Sequence, residues 1–218
     1  MKRQWMNDGS VEVGLDEAGR GSLWGRLYVG AVIMSPEDEA YFDNGATLRQ
    51  ITDSKKLTPR KRAVLADFIK ENAIEAVVSW AEPSEIDEYN VLRADMRAMH
   101  RALDSLDTPF QRILVDGDTW EPYKDVPAQC IVKGDALSLP FAAASIMAKE
   151  GHDDWVRETI AANPLLDERY GFARNMGYGT AAHMEGLNTY GPDSLHRCSF
   201  APVRAVSNTM SVPMFKTI

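Results

Sequence analysis

The sequence predicts an α/β fold, a mixed β-sheet flanked by helices with a small helical C-terminal extension. Three observations predict it. Two apolar segments, Val11–Asp16 and Leu27–Met34, are joined by a Gly-rich turn and read as a hairpin-like strand pair. Beyond them, segments of helical period alternate with β-rich segments, the pattern of a sheet with helices on its faces. Finally, 218 residues at 44% hydrophobic and 26% charged suffice for one sizeable core.

Val29, Ala31 and Ile33 alternate with their neighbours in the second strand. Thr58 and Pro59 read as an N-cap and first helical position, and Val64, Leu65, Phe68 and Ile69 repeat at helical spacing behind them. Ile74–Trp80 is β-rich. Ser84-Glu85-Ile86-Asp87 resembles a capping box, opening one helical stretch through Leu92, Met96, Met99, Leu103 and Leu106. Two short strands, Arg112–Asp116 and Gln129–Lys133, precede a helix over about Phe141–Ile160. Thr180 caps a last helix, stopped at Gly191-Pro192. The domain plan is residues 1–165 as the α/β body and 166–218 as the extension packing on it.

A net charge of −8 and a pI of about 5.1 exclude a protein that coats nucleic acid by bulk charge. They leave room for an enzyme whose acids gather at a metal site. The two cysteines, Cys130 and Cys198, form no disulfide framework or zinc spacing, so a reducing cytoplasm is expected. Cys130, in the apolar run Ala128–Val132, is expected to be buried. No signal-peptide core opens the chain and no run of about 20 apolar residues would span a bilayer. A soluble monomer with no membrane partner is expected.

Chemistry concentrates where strands end. Asp16 and Glu17 close the first strand directly before Gly19-Arg20-Gly21. Asp116 ends Ile113-Leu114-Val115, and Asp135 follows the next strand in Lys133-Gly134-Asp135. Strand ends release side chains from the core at fixed geometry, so the four acids can converge. Clustered carboxylates raise one another's pKa unless a cation neutralises them. All-oxygen donors suit Mg²⁺ or Mn²⁺ and not zinc. An acid pair beside exposed backbone N–H groups points to phosphoryl transfer on nucleic acid.

Several motifs occur in order: Asp16-Glu17-Ala18-Gly19-Arg20-Gly21, Asp53-Ser54-Lys55-Lys56-Leu57, Val115-Asp116-Gly117, Lys133-Gly134-Asp135, Ala142–Lys149, Gly177-Tyr178-Gly179-Thr180 and His196-Arg197-Cys198-Ser199-Phe200. Together they resemble ribonuclease HII, the type 2 ribonuclease H family, over about residues 11–204. The resemblance implies a ribonuclease H-like fold over 1–165, with the extension contributing to substrate binding. It implies an endoribonuclease that cuts the RNA strand of RNA–DNA hybrids and incises 5′ of single ribonucleotides in duplex DNA. Products would carry 5′-phosphate and 3′-hydroxyl ends, with roles in ribonucleotide excision repair and primer removal. By that likeness Asp16, Glu17, Asp116 and Asp135 hold two divalent ions. Gly19, Arg20 and Gly21 read the 2′-hydroxyl, and Tyr178 stacks at the RNA-to-DNA junction. Ser54 and Lys55 of the Asp-Ser-Lys motif, and Lys149, complete the substrate contacts, with Lys55 on backbone phosphate.

Other features take plainer readings. Arg60–Arg62 are expected on a solvated helix face, Ala142–Ser145 at a close helix-on-sheet contact, and His196 and Arg197 bracing the C-terminal segment. Ser211–Phe215 is similar to tails that dock on a sliding clamp, but a frayed terminus is the reading adopted. The chain departs from the family at Asn175-Met176, where basic residues are common, and at Ser22, Trp24 and Arg26 in the turn. Asp118 stands where an amide is frequent, and Glu150-Gly151-His152-Asp153 where Arg usually precedes Asp. These departures leave open a weakened hybrid-binding protein, and the acid cluster leaves open a related two-metal nuclease for branched DNA, which would not need the Gly-Arg-Gly and Tyr178 pair.

Overall fold

β1 (Glu12–Ala18) runs down the middle of a five-stranded sheet. It pairs antiparallel with β2 (Leu27–Ile33), as a hairpin-like connection requires, with Val13 opposite Ile33 and Ala18 opposite Tyr28. β3 (Glu75–Ala81) lies outside β2. On the other side β4 (Arg112–Asp116) is parallel to β1, and β5 (Ala128–Ile131) is parallel to β4. The order is β3-β2-β1-β4-β5. Every residue of β2 is buried, so both faces of the sheet are covered there. The computed structural model describes residues 4–6, 8–35, 47, 50–132, 134 and 138–210.

These residues fall into two compact units. The first is spanned by Met1–Ala18, Tyr28–Trp80 and Asp95–Gly151, the second by Gly19–Leu27, Ala81–Ala94 and His152–Ile218. In the first, α1 (Pro59–Asn72) starts as expected at Thr58, whose hydroxyl accepts from Lys61 N at 3.3 Å. Leu65 and Ile69 of α1 join Val32, Ala143 and Ile146 in one apolar cluster. Ala143 and Ile146 belong to α4 (Leu139–Ala162), whose first half packs directly on the strands. A Cβ at Gly14 would lie 2.4 Å from the Pro140 carbonyl carbon, and one at Gly30 would lie 2.3 Å from Ala144 O. The strand glycines and the small Ala142–Ala144 run thus set a close helix-on-sheet approach, as the sequence led one to expect.

The expected single helix from residue 84 to 106 is instead two: α2 (Pro83–Tyr89) and α3 (Val91–Asp104). Asn90 breaks them with φ +68°, and its Oδ1 accepts from Leu92 N and Arg93 N to cap the second. The capping box itself is real but starts at Glu82, with Glu85 as its return partner. β1 also runs two residues past the expected end at Asp16. Cys130 is exposed, because β5 is an edge strand whose first three residues are exposed whichever face they take. Arg62 is no solvated residue: it is buried and ion-paired with Glu150, while Arg60 and Lys61 are exposed.

In the second unit α5 (Leu165–Tyr170) and α6 (Phe172–Asn175) precede α7 (Ala181–Tyr190), capped by Thr180 and stopped at Gly191. α7 is not the last helix, since α8 (Ala201–Met210) follows. Leu23, Leu187, Val203 and Val206 form its apolar contact. Trp24 is fully buried and stacks on Phe172 at 4.3 Å and against Trp155 at 5.3 Å. Among the described residues no helix is long and apolar enough to cross a membrane.

Candidate active site

The register of the sheet sets the acids. β1 and β4 are paired in parallel through Leu15 opposite Val115, so one step further along both strands stand Asp16 and Asp116. Neighbouring strands lie about 4.8 Å apart, which brings two carboxylates side by side. Asp16 is only 7% exposed, and its Oδ1 accepts from Glu17 N at 2.7 Å. Asp116 Oδ1 accepts from Gly134 N at 2.9 Å, which ties the end of β4 to the segment after β5. Burial pushes the Asp16 carboxyl well above the usual carboxylate range, and the Glu17 and Asp116 charges push it further. The Ser145 hydroxyl and the Glu17 backbone N–H act in the opposite direction. Ser145 Oγ is in turn 2.8 Å from Ser54 Oγ, both residues being buried. Ser54 therefore faces the support of Asp16.

The carboxylates of Asp16, Glu17 and Asp116 act on one another here, and such oxygen donors fit a hard divalent cation. Among the described residues no three His, Cys, Asp or Glu side chains are gathered tightly enough to cage an ion. Asp135, the expected fourth ligand, lies outside the described residues. So do Lys133 and the Ser211–Phe215 tail.

In the second unit the Gly-Arg-Gly turn and Tyr178 meet. The Tyr178 hydroxyl accepts from Gly19 N at 3.2 Å, and Ser22 bridges Tyr178 in a short antiparallel contact. Gly19 has φ +79°, and a Cβ there would meet His152 Cδ2 at 2.4 Å. Both reasons exclude a larger residue. Gly21 has neither, for a Cβ there would meet nothing within 4 Å. Arg20 and Gly21 are exposed. The turn is held from behind by Arg197, whose Nε donates to Gly25 O at 2.9 Å and Nη1 to Arg20 O at 3.1 Å. Arg197 is fully buried, and burial pushes its guanidinium down to about 10. Its bracing thus falls on the turn, where the C-terminal segment was expected.

Asn175, expected to be a departure from the family pattern, does structural work. Its Nδ2 donates to Tyr170 O at 2.7 Å and its Oδ1 accepts from Gly177 N at 2.9 Å, which fixes the approach to Tyr178. Behind Tyr178 lies a buried histidine pair. His196 Nδ1 accepts from Asp193 N at 2.8 Å, the two Nε2 atoms are 3.0 Å apart, and His183 Nδ1 is 3.1 Å from Tyr178 O. For the chain of bonds to close, His183 carries its proton on Nδ1 and His196 on Nε2. Lys55 is exposed on the short 3-10 turn Ser54–Lys56, held by Asp53 Oδ1, which accepts from Lys55 N at 2.9 Å. Lys149 is half-buried on α4. Sequence reasoning missed Ser145 and His152 as supports, because each acts through a contact remote in sequence, and it missed Asn175, whose partners lie two and five residues away.

A five-stranded mixed sheet flanked by helices, with Asp16 and Asp116 side by side on neighbouring strands, is the architecture of the ribonuclease H-like class. A family model described as ribonuclease HII matches residues 13–203. Ribonuclease HII of Neisseria meningitidis serogroup C (strain 053442) is 43% identical over 194 residues, 89% of this chain and 94% of that one. The enzyme from Parabacteroides distasonis is 40% identical over 196 residues, 90% and 92% of the two chains. Among solved structures, ribonuclease H2 from Pyrococcus horikoshii OT3 superposes with a TM-score of 0.72 at 26% identity, covering 91% of this chain and 97% of that. Bst-RNase HIII in complex with Mn²⁺ shares the fold at TM-score 0.62 and 17% identity, covering 93% and 70%. The chain belongs to the ribonuclease HII family. It is a nuclease with ribonuclease H activity on RNA–DNA hybrids, which sets aside the non-catalytic alternative.

Proposed function

We propose that the protein incises duplex DNA 5′ of a single embedded ribonucleotide, besides cutting the RNA strand of hybrids, and leaves 5′-phosphate and 3′-hydroxyl ends. The observation that carries this reading is the strand register that sets Asp16 beside Asp116, with Asp16 buried and its carboxyl raised. In the chain the Gly-Arg-Gly turn follows Asp16-Glu17 after one residue.

Asp16, Glu17, Asp116 and Asp135 are the residues that would hold two divalent ions, Mg²⁺ or Mn²⁺. Such ions supply a polarised phosphate, an activated water and a stabilised leaving oxygen. The protein's own part is orientation. The Glu17 N–H and the Ser145 hydroxyl fix the Asp16 carboxylate, and the Gly134 N–H fixes Asp116. Gly19, Arg20 and Gly21 present backbone to the 2′-hydroxyl, the group that separates RNA from DNA. Gly21 supports this reading, since nothing inside the protein requires a glycine there. Tyr178 lays its ring at the junction sugar, with its hydroxyl tied to Gly19 N. Lys55 and Lys149 neutralise backbone phosphates, and Ser54 reaches the site through Ser145. Repair of misincorporated ribonucleotides and removal of primer remnants follow from that substrate choice. The protein would act as a soluble cytoplasmic monomer, with residues 1–165 carrying the chemistry and 166–218 aiding substrate binding. A relative from Archaeoglobus fulgidus, solved as a PCNA:RNase HII complex, shares the fold at TM-score 0.68. For this chain, docking on a clamp would fall to the Ser211–Phe215 tail.

A duplex carrying one ribonucleotide, incubated with Mg²⁺ or Mn²⁺, tests the reading. A single nick 5′ of that nucleotide is expected, and an intact duplex would sink it. Cutting only at all-DNA branch points would favour the branched-DNA alternative.

A further inference from the structure

We propose that His152 is a positioning residue for ribonucleotide recognition, holding Gly19 and Tyr178 in the geometry that admits one 2′-hydroxyl. The proposal rests on the reading of the turn given above. His152 sits on α4 and is fully buried, and it touches no reacting atom. Its Nδ1 donates to Asp153 Oδ1 at 2.9 Å, and Asp153 is itself 3% exposed, so the ring is locked in one orientation. The opposite edge of the ring points at the turn. A Cβ at Gly19 would lie 2.4 Å from His152 Cδ2 and 2.7 Å from Nε2. The ring centroid also stands 6.0 Å from that of Tyr178, tilted by 54°. One imidazole therefore backs both members of the Gly19 N–H to Tyr178 hydroxyl bond.

Its consequence is a matter of tolerance. In a run of ribonucleotides every register offers a 2′-hydroxyl, so a turn displaced by a fraction of an ångström still finds a productive one. A lone ribonucleotide offers a single register, and misplacement then falls on the rate. A buried aromatic ring has little room to move, whereas a long flexible cation at the same place would couple less tightly to the turn.

His152→Asn tests the idea, because its amide keeps a donor for Asp153 and deletes the Nε2 edge. The expected result is a kcat about tenfold lower on a duplex with one ribonucleotide, with KM within about twofold and a smaller loss on a hybrid with a long ribonucleotide run. His152→Gln, which returns a polar group to the reach of Nε2, should recover part of that ratio. Equal losses on both substrates, or no change on either, would overturn the positioning role. Wild-type protein that cuts runs but leaves the single ribonucleotide intact would defeat the parent reading instead, so the two failures are distinguishable.

Discussion

Asp16 and Gly19 each bear a different kind of strain, and Gly21 bears none. Asp16 is a carboxyl that folding desolvates next to two like charges, which costs stability in the absence of a cation. Asp16→Asn removes that charge at constant volume. It should cut hybrid cleavage by about a thousandfold or more, while the metal-free protein melts no lower than wild type. Added Mn²⁺ should raise the melting temperature of wild type and not of the variant, and near-normal turnover in the variant would refute the ligand role. The glycines separate fold from function in the same way. Gly19→Ala meets both a positive φ and the His152 ring, so it should lose about 2 kcal/mol or more of stability. Gly21→Ala has open space and should melt like wild type while incising a lone ribonucleotide more slowly. Equal effects of the two substitutions in unfolding and in cleavage assays would count against the distinction.

Elements were legible in the sequence where periodicity or capping chemistry is local, and less so where a single residue overrides them. The strand pair, the Thr58-Pro59 start of α1 and the Asp116 end of β4 were readable because each signal lies within a few residues. The α2–α3 break was not, since the apolar spacing continues through it and only Asn90 leaves the helical region. Asn90→Ala should therefore lose the α3 cap and keep the strained φ, about 2 kcal/mol together, or several degrees in melting temperature. Asn90→Gly loses the cap but relaxes the backbone and should fall between Ala and wild type. The Arg62–Glu150 pair was misread because the partner is 88 positions away and the basic run looks solvated. Arg62→Ala strands a buried carboxylate and should cost about 3–5 kcal/mol by chemical denaturation, more than either Arg60→Ala or Lys61→Ala.

At the scale of the molecule, Asp16 and Asp116 were readable as neighbours because each stands near the end of an apolar strand, yet the scaffold that orients the turn was hidden in long-range polar contacts. The His183–His196 pair is the clearest case, since four scattered histidines carry no spacing signal. Both are buried and neutral, and both are shifted down from the usual 6.5. Burial is the main cause for each, and repulsion from His183 adds to it for His196, which falls to about 4. A histidine whose folded pKa lies below its unfolded value binds protons better when unfolded. Its contribution is fully present above pH 6.5 and is lost as pH falls toward the folded value. Protonation also breaks the bond chain, because two imidazolium Nε2–H groups cannot share a hydrogen bond at 3.0 Å. That chain ends on the Tyr178 carbonyl, so acid should loosen the recognition turn as it lowers stability. The melting temperature should decline between about pH 6.5 and pH 4.5, and discrimination for a single ribonucleotide should weaken over the same range. His196→Asn offers an acceptor to Asp193 N but does not titrate, so it should flatten that decline at the cost of a lower plateau. A wild-type profile that is level across this window, or a variant that follows it unchanged, would rule out the pair as its source.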